Sequence, residues 1–184
     1  LGHLWSENSN RGIYRTDNGG ETWEHVLFVN ERTGANDIVW AKNDPDVLYA
    51  SMWENYPSVN GVGSGVYRSA DAGVTWNRCE GGLPTGESIG RIGVAVSQTD
   101  ANKVYALVDH RGRIKEGAAQ VFKSSDGGTT WSRTHEDELM IFSRIGWYFA
   151  DIYVNPRDDE EIFCLGVRVA HSSDGGKSFD LLGG

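Results

Sequence analysis

The sequence predicts an all-β fold built from repeated four-stranded units, and three observations support this prediction. An eight-residue motif occurs four times, at intervals of roughly 50 residues. Short runs of β-branched and aromatic residues lie between the copies, separated by Gly, Pro, Asn and Asp. No stretch sustains the apolar period of a helix over about ten residues. Self-similarity at this spacing is typical of an array of similar structural units.

The repeated motif has the composition of a tight turn between two strands. Its copies read TDNGGETW (16–23), SADAGVTW (69–76), SSDGGTTW (124–131) and SSDGGKSF (172–179). A hydroxyl and a short acid or amide accept backbone N–H bonds, a glycine adopts positive φ, and the closing aromatic covers apolar surface. The residues predicted to hold these turns are Thr16, Asn18, Gly20, Trp23, Ser69, Asp71, Gly73, Trp76, Ser124, Asp126, Gly128, Trp131, Ser172, Asp174, Gly176 and Phe179.

The acids of the motif raise the alternative of a calcium loop. Calcium takes about six to eight oxygen ligands, and each copy carries too few carboxylates for such a site. No His, Cys and Asp cluster has the spacing of a zinc site, and no glycine-rich phosphate loop opens a helix. We therefore expect the copies to be structural turns, with no metal and no cofactor.

Each motif connects the third and fourth strands of a predicted antiparallel unit. In the unit 36–80 the strands are NDIVWAK (36–42), DVLYASMW (46–53), GVYRS (65–69) and TWNRC (75–79). Four such strands per period are typical of a β-propeller blade. A two-sheet sandwich is the competing all-β fold, but it does not explain why the same turn returns at every fourth strand.

The predicted partial propeller holds about three and three-quarters blades, whereas propellers generally have about four to eight. The blades are predicted at 1–29 (incomplete), 36–80, 90–135 and 149–183, within a domain of 1–184. The stretch GHLWSE (2–7) is interpreted as the end of the second strand of blade 1. Because a closed ring leaves no long sheet edge exposed, we expect the remaining blades of a larger propeller as partners. A second copy that associates with an open arc is the alternative.

Charge and composition exclude two classes of partner. The net charge is −9, and no basic patch with interleaved aromatics is present, which argues against nucleic acid. No apolar run approaches the roughly 18 residues that span a membrane. Cys79 and Cys164 lie in different predicted blades, and buried free thiols are favoured over a disulfide, although the sequence alone does not decide their pairing.

The pattern S-x-D-x-G-x-T-W resembles the Asp-box, or BNR repeat, of sialidases, xyloglucanase-type glycoside hydrolases and sortilin-type receptor propellers. The stretches 26–54 and 90–108 are similar to bacterial secreted BNR-repeat proteins that are described as glycosyl-hydrolase-like, with a sortilin-like propeller. This resemblance covers essentially the whole chain. It implies a β-propeller that is secreted, periplasmic or at the cell surface, and a link to carbohydrate chemistry. No motif places the catalytic groups of sialidases or xyloglucanases here, so none is carried over.

The loops on the face opposite the motif turns are expected to hold any ligand site, because they vary without disturbing the sheets. A glycosidase needs two carboxyl groups that flank the scissile bond. The candidate catalytic acids in these loops are Glu54, Asp109, Glu136 and Asp137. The candidate ligand-binding residues are Arg32, Trp53, Tyr56, Arg91, Arg111, Arg144, Trp147 and Tyr148.

Several of these residues also have a structural interpretation. Trp53 and Trp147 adjoin strand ends and fit packing between blades, and Arg91 and Arg144 fit pairing with nearby loop acids. His110 is not taken as the partner of Asp109, because adjacent residues on a strand point to opposite faces.

Three functions remain open from the sequence. The first is a binding module that holds a glycan or peptide ligand on the loop face. The second is a glycoside hydrolase of xyloglucanase or sialidase type, with catalytic acids partly outside the chain. The third is a structural or assembly role. Binding ranks slightly above hydrolysis.

Overall fold

A computed structural model describes residues 1–112 and 117–183, and within these ranges the chain contains strands and turns but no helix. Part of the predicted loop 109–120 therefore lies outside the described residues. The first sheet contains β1 (Ile13–Arg15) and β2 (Glu24–Leu27). The second contains β3 (Thr33–Ala41), β4 (Asp44–Glu54), β5 (Gly65–Ser69) and β6 (Asn77–Arg78). The third contains β7 (Ile89–Val96), β8 (Val104–His110), β9 (Gln120–Ser124) and β10 (Ser132–Arg133). The fourth contains β11 (Asp151–Asn155), β12 (Asp158–Leu165), β13 (Val169–Ser172) and β14 (Asp180–Leu182).

Every sheet is antiparallel, and its strands follow one another in sequence order. Strand β3 lies beside β7, and β7 lies beside β11, so the first strands of the three larger sheets are the ones that meet at the centre. This arrangement confirms the predicted fold class of four-stranded propeller blades. We call the four sheets blades 1 to 4 in chain order.

Apolar clusters fill the three seams between successive blades. We call the face of a blade that packs on the next blade its front, and the opposite face its back. The front of blade 4 is the face that corresponds to the fronts of blades 2 and 3. Tyr49 and Val66 on the front of blade 2 pack against Val94 and Ala106 on the back of blade 3. The seam between blades 3 and 4 is built in the same way, from Tyr105, Leu107, Val121, Ile152, Ile162 and Cys164. Each seam therefore joins the front of one blade to the back of the next.

The motif turns share one hydrogen-bond pattern. In blade 3, Ser124 Oγ donates to Asp126 Oδ1 (2.8 Å) and accepts from the backbone N–H of Gly128 (2.8 Å). The Asp126 carboxylate also accepts from the backbone N–H of Thr130 (2.8 Å) and from its hydroxyl (2.5 Å). Gly128 has a φ of 84°, a region that a side chain disfavours. The same bonds recur in blades 2 and 4, and in blade 1 the one difference is that the Asn18 side-chain amide donates to the Thr22 hydroxyl (2.8 Å). The motif therefore closes its own turn.

Residues 2–7 form no strand, so their assignment to a second strand of blade 1 is wrong. The cause is the buried guanidinium of Arg11, which donates to the backbone carbonyls of Leu1 (2.8 Å), His3 (2.5 Å) and Ser6 (3.0 Å). A guanidinium that gathers three carbonyls curves the chain around itself and leaves those carbonyls unavailable to a sheet ladder. Arg11 also donates to Asn55 Oδ1 (2.5 Å), which ties this segment to blade 2.

Cys79 and Cys164 are both buried free thiols. Burial raises the pKa of Cys79 to about 11 and raises that of Cys164 as well. The described part of the chain has no helix that is long and apolar enough to cross a membrane.

Candidate functional site

The two ends of the blades carry different structures. The motif turns lie beside the connections between the first and second strands, because the N–H of Gly127 donates to Asn102 (2.9 Å) and that of Gly175 to Glu160 (2.8 Å). The opposite end, which we call the loop face, carries the ends of β4 and β8 and the starts of β3, β7 and β11. The candidate acids Glu54 and Asp109 lie at this face.

The side chain of Glu54 stabilises the loop that follows it. Its side chain is buried, Arg32 Nη2 lies 3.2 Å from its Oε1, and the N–H of Gly63 donates to its Oε2 (2.8 Å). A Cβ at Gly61 would overlap the Glu54 carboxyl, so the loop closes tightly over this group. Trp53 is buried in the same loop, where its indole N–H donates to the carbonyl of Val59 (3.0 Å), and Tyr56 is half-buried.

Asp109 is also buried, with 7% of its surface exposed. Its Oδ2 accepts no hydrogen bond, and Arg111 Nη1 lies 3.5 Å away. Burial raises the pKa of Asp109 to about 6, and the charge of Arg111 partly opposes this shift. A Cβ on Gly146 would lie 2.6 Å from its carboxyl carbon, and one on Gly90 would lie 2.8 Å from Oδ2. Asp109 is therefore enclosed by backbone.

Glu54 and Asp109 do not occupy equivalent positions. Strand pairing aligns Ser51 with Leu107, so Asp109 corresponds to Trp53, and Glu54 corresponds to His110. His110 points away from Asp109 and meets Gln120, with Nδ1 2.9 Å from Oε1. Each candidate acid thus has its own arginine in its own blade, and the two do not form a facing pair.

The remaining candidates lie on the rim. Glu136, Asp137 and Arg144 are exposed, and the backbone carbonyls of the two acids accept from Arg133 Nη2 (3.1 and 3.4 Å). Tyr148 is 63% exposed and makes edge contacts with Trp147 (5.7 Å between ring centroids) and Phe149 (5.0 Å). These three consecutive rings form an aromatic cluster directly before β11.

The first strands meet at the centre of the arc, where a propeller has its central channel. An ion pair there joins this aromatic cluster to Asp151, one of two acids that the sequence analysis missed. Arg91 Nη1 donates to the carbonyl of Tyr148 (2.7 Å), and its Nη2 donates to Asp151 Oδ1 (3.0 Å). Asp37 lies near both of these charged side chains. Burial raises the pKa of Asp37, the negative charge of Asp151 raises it further, and the positive charge of Arg91 opposes the shift. We call Asp37, Arg91 and Asp151 the channel triad.

The repeat places the two triad acids at the same height. Pairing with the second strands aligns Asp37, Gly93 and Asp151, one from each central strand. A Cβ on Gly93 would overlap the carbonyl of Ala150, so the absence of a side chain lets β11 approach β7. Both acids lie within the predicted first-strand runs, at 36–42 and 150–156. They were not among the candidates because the candidates came from loops.

A cavity of about 330 Å³ runs along these central strands. Its lining includes Asn36, Asp37, Gln98, Asp151 and Tyr153, and Tyr153 is 58% exposed. This volume is at the lower end of the range for small-molecule sites. Carboxylates, amides and an exposed ring are groups that bind hydroxyl-rich or amide-rich ligands. Among the described residues, no three His, Cys, Asp or Glu side chains are grouped to hold a metal ion.

Solved structures resemble this chain in fold, whereas no protein-family model and no curated protein matches it. An ancestral GH74 enzyme superposes with a TM-score of 0.65 at 16% identity, over 97% of this chain and 22% of that one. The GH74 enzyme of Niastella koreensis gives 0.70 at 18% identity, over 95% and 27%. YCF48 bound to D1 peptide gives 0.56 at 16% identity, over 82% and 41%.

These likenesses support the fold class. The chain spans about a quarter of the length of the GH74 enzymes and less than half of YCF48. At such low identity the similarity shows a shared propeller architecture and does not transfer an activity. The four sheets and their structural neighbours therefore define a β-propeller arc.

Proposed function

We propose that the chain is an extracytoplasmic Asp-box propeller module that binds a glycan or peptide ligand on its loop face, at the channel triad. The observation that carries this proposal is that Asp37, Asp151 and the exposed ring of Tyr153 line one cavity, and that Arg91 bonds to Asp151 and to the backbone of Tyr148. Few polar groups placed around an open, partly apolar cavity are typical of a binding site.

The predicted acids favour binding over hydrolysis. Glu54 and Asp109 are enclosed by their own loops and paired with Arg32 and Arg111. The carboxylate of Glu54 does not reach a ligand without breaking its bonds to Arg32 and Gly63, and the backbone at Gly90 and Gly146 encloses that of Asp109. Their role is to shape the loop face, where Glu54 holds the loop 55–64 and Asp109 supports the segment around Gly146.

The triad favours a ligand that offers hydrogen-bond donors. Two carboxylates with one arginine leave an excess of acceptors, in agreement with the net charge of the chain. Sugar hydroxyls, peptide N–H groups and amines all supply donors, and an exposed aromatic face supplies stacking area.

Glycoside hydrolysis is the second candidate, and one observation favours it. Asp37 and Asp151 line the same cavity, and the pKa of Asp37 is raised, as a general acid requires. In this alternative, Asp37 protonates the leaving oxygen and Asp151 acts as the second carboxylate.

Glycan and peptide arrays followed by calorimetry test the binding proposal. Arg91→Ala removes the contacts to Asp151 and Tyr148, and we expect at least about a tenfold loss of affinity for the best ligand. Arg157→Ala is the matched control, because Arg157 is exposed at the opposite end of blade 4. Equal binding by both variants, with unchanged melting temperatures, would refute the assignment of the site.

The same ligands separate binding from hydrolysis. Incubation with each bound glycan, followed by chromatography of the products, detects bond cleavage. In a binding module Asp37→Asn alters affinity and no cleaved product forms with any variant. In a hydrolase the original protein releases product, and Asp37→Asn retains the ligand but loses turnover.

A further inference from the structure

Five positions recur on the front of blades 2, 3 and 4. Strand pairing aligns Tyr49, Tyr105 and Phe163 in the second strands. It also aligns Arg68, Lys123 and His171 in the third strands. The full front sets are Val39, Tyr49, Ser51, Val66 and Arg68 in blade 2, Ala95, Tyr105, Leu107, Val121 and Lys123 in blade 3, and Tyr153, Phe163, Leu165, Val169 and His171 in blade 4.

In blades 2 and 3 this front face is covered by the next blade. Tyr49 and Tyr105 are fully buried, and their hydroxyls donate to backbone carbonyls of the following blade, at Ala101 (3.2 Å) and Asp159 (2.8 Å). Lys123 adds an ion pair across the seam to Glu160 (2.8 Å). In blades 2 and 3 the front face is therefore the surface on which the next blade packs.

The equivalent surface of blade 4 is uncovered, and Phe163, the ring that corresponds to Tyr49 and Tyr105, needs no polar partner. Tyr153 is 58% exposed, and Phe163 has no hydroxyl to satisfy. The ring of His171 packs on Phe163, with centroids 4.8 Å apart, and its Nε2 lies 3.0 Å from Glu161 Oε1 in its own blade. Val167, which corresponds to the buried Trp53 and Asp109, is 48% exposed. The face is therefore apolar at its centre.

The back of the two-stranded blade 1 is the complementary uncovered surface. Its Tyr14 and Trp23 correspond to Phe122 and Trp131, which are buried on the back of blade 3. In blade 1 both side chains are exposed, and so is Phe28 beside them. The ring of Tyr14 stacks on His25, with centroids 4.2 Å apart. Exposed apolar patches of this kind mark interaction surfaces.

We propose that the front of blade 4 docks on the back of blade 1 in a second copy of the chain, head to tail. The occupant follows from the seams already present, because in each of them the front face of one blade packs on the back face of the next. The two uncovered faces of the arc are one front and one back. A contact between different surfaces of two copies is heterologous, and it extends until the arrangement closes.

Sedimentation of the 184-residue chain over the micromolar range tests this proposal. We expect species of two or more chains, and loss of this association in Tyr153→Arg and in Phe28→Arg, which place a charge on the front of blade 4 and the back of blade 1. Val74→Arg is the control, because Val74 is equally exposed but lies in a motif turn away from both faces. Far-ultraviolet circular dichroism checks that each variant is folded.

Mixing the two variants distinguishes the head-to-tail arrangement from any other. Each variant keeps one intact face, so an equimolar mixture is expected to form a dimer and nothing larger. A mixture that stays monomeric overturns the head-to-tail contact. A monomeric original protein throughout this range also overturns the proposal, because the faces then require additional blades rather than a second copy. Glycan or peptide binding is measured separately, in the Phe28→Arg variant, because Tyr153 lines the ligand cavity and its substitution affects both surfaces.

Discussion

The motif turns of blades 1 and 3 differ in the direction of one internal hydrogen bond, but their surroundings differ far more. In blade 1, Thr16 Oγ1 donates to Asn18 Oδ1 (2.9 Å) and accepts from the N–H of Gly20 (2.9 Å), as Ser124 does with Asp126 and Gly128. The closing aromatics differ sharply, since Trp131 is 5% exposed and Trp23 is 61% exposed.

The preceding blade accounts for this difference. The backbone N–H of Trp131 donates to Gly81 of blade 2 (2.6 Å), and its ring belongs to the apolar seam between blades 2 and 3. No described blade lies behind Trp23. The hydrogen bonds of the turn are therefore local, whereas the hydrophobic contribution of its aromatic depends on a neighbouring sheet.

Trp131→Ala and Trp23→Ala should give the largest contrast. Removing the buried indole of Trp131 leaves a cavity and should cost about 3–5 kcal/mol of unfolding free energy, whereas the exposed Trp23 should cost less than about 0.5 kcal/mol. Urea unfolding followed by circular dichroism measures both, in the Tyr153→Arg background so that self-association does not contribute. Similar losses in the two variants would contradict the explanation that the preceding blade buries the aromatic of the motif.

Loss of the first hydroxyl should give a smaller contrast. Ser124→Ala removes the acceptor of the buried Gly128 N–H and should cost about 1–3 kcal/mol. Thr16→Ala should cost less, because water reaches the half-buried turn of blade 1 and replaces the lost bond. The same unfolding experiment measures both variants. A larger loss from Thr16→Ala than from Ser124→Ala would contradict this explanation.

The acid of the motif should give the smallest contrast, and only at low pH. Hydrogen bonds from Thr75 and Ser69 lower the pKa of Asp71 to about 2, and those from Thr130 and Ser124 do the same for Asp126. A carboxyl whose folded pKa is lowered stabilises the fold above its unfolded pKa, near about 4, and this contribution is lost as the pH falls towards about 2. Asn18 does not titrate, so blade 1 lacks this dependence.

Asn18→Asp should therefore make blade 1 resemble the other blades. We expect the melting temperature of this variant to fall more steeply than that of the original protein between about pH 4 and pH 2. Calorimetry at several pH values measures the slope. Asp109, whose raised pKa has the opposite effect on stability, is present in both proteins and cancels from the difference. Parallel slopes would mean that residue 18 is not bonded as the aspartates are.

The channel triad contains two acids, Asp37 and Asp151, that were not predicted from the sequence. Arg91 was a candidate from its loop, and an acid partner was expected for it, but the partner is Asp151 in a strand. Asp37 and Asp151 looked like ordinary members of strand runs, because spacing along one strand does not reveal which residue meets another blade. Glu54 looked available in its loop, and its enclosure depends on Gly61 and Gly63 folding back onto it.

The segment 2–7 was misread for a related reason. Its apolar residues fit the end of a strand, but Arg11 draws the carbonyls of Leu1, His3 and Ser6 around its guanidinium. A single buried charge outweighs a weak strand propensity, because its bonding groups must be satisfied once they leave water.

The sequence by itself determined the four-stranded repeat and the bonds inside each motif turn, because these involve residues within a few positions of one another. Only the tertiary structure decided which faces are covered, which acids are enclosed and which reach the channel. Those properties depend on residues roughly 50 positions apart that meet when one blade packs on the next, and no local pattern encodes that packing.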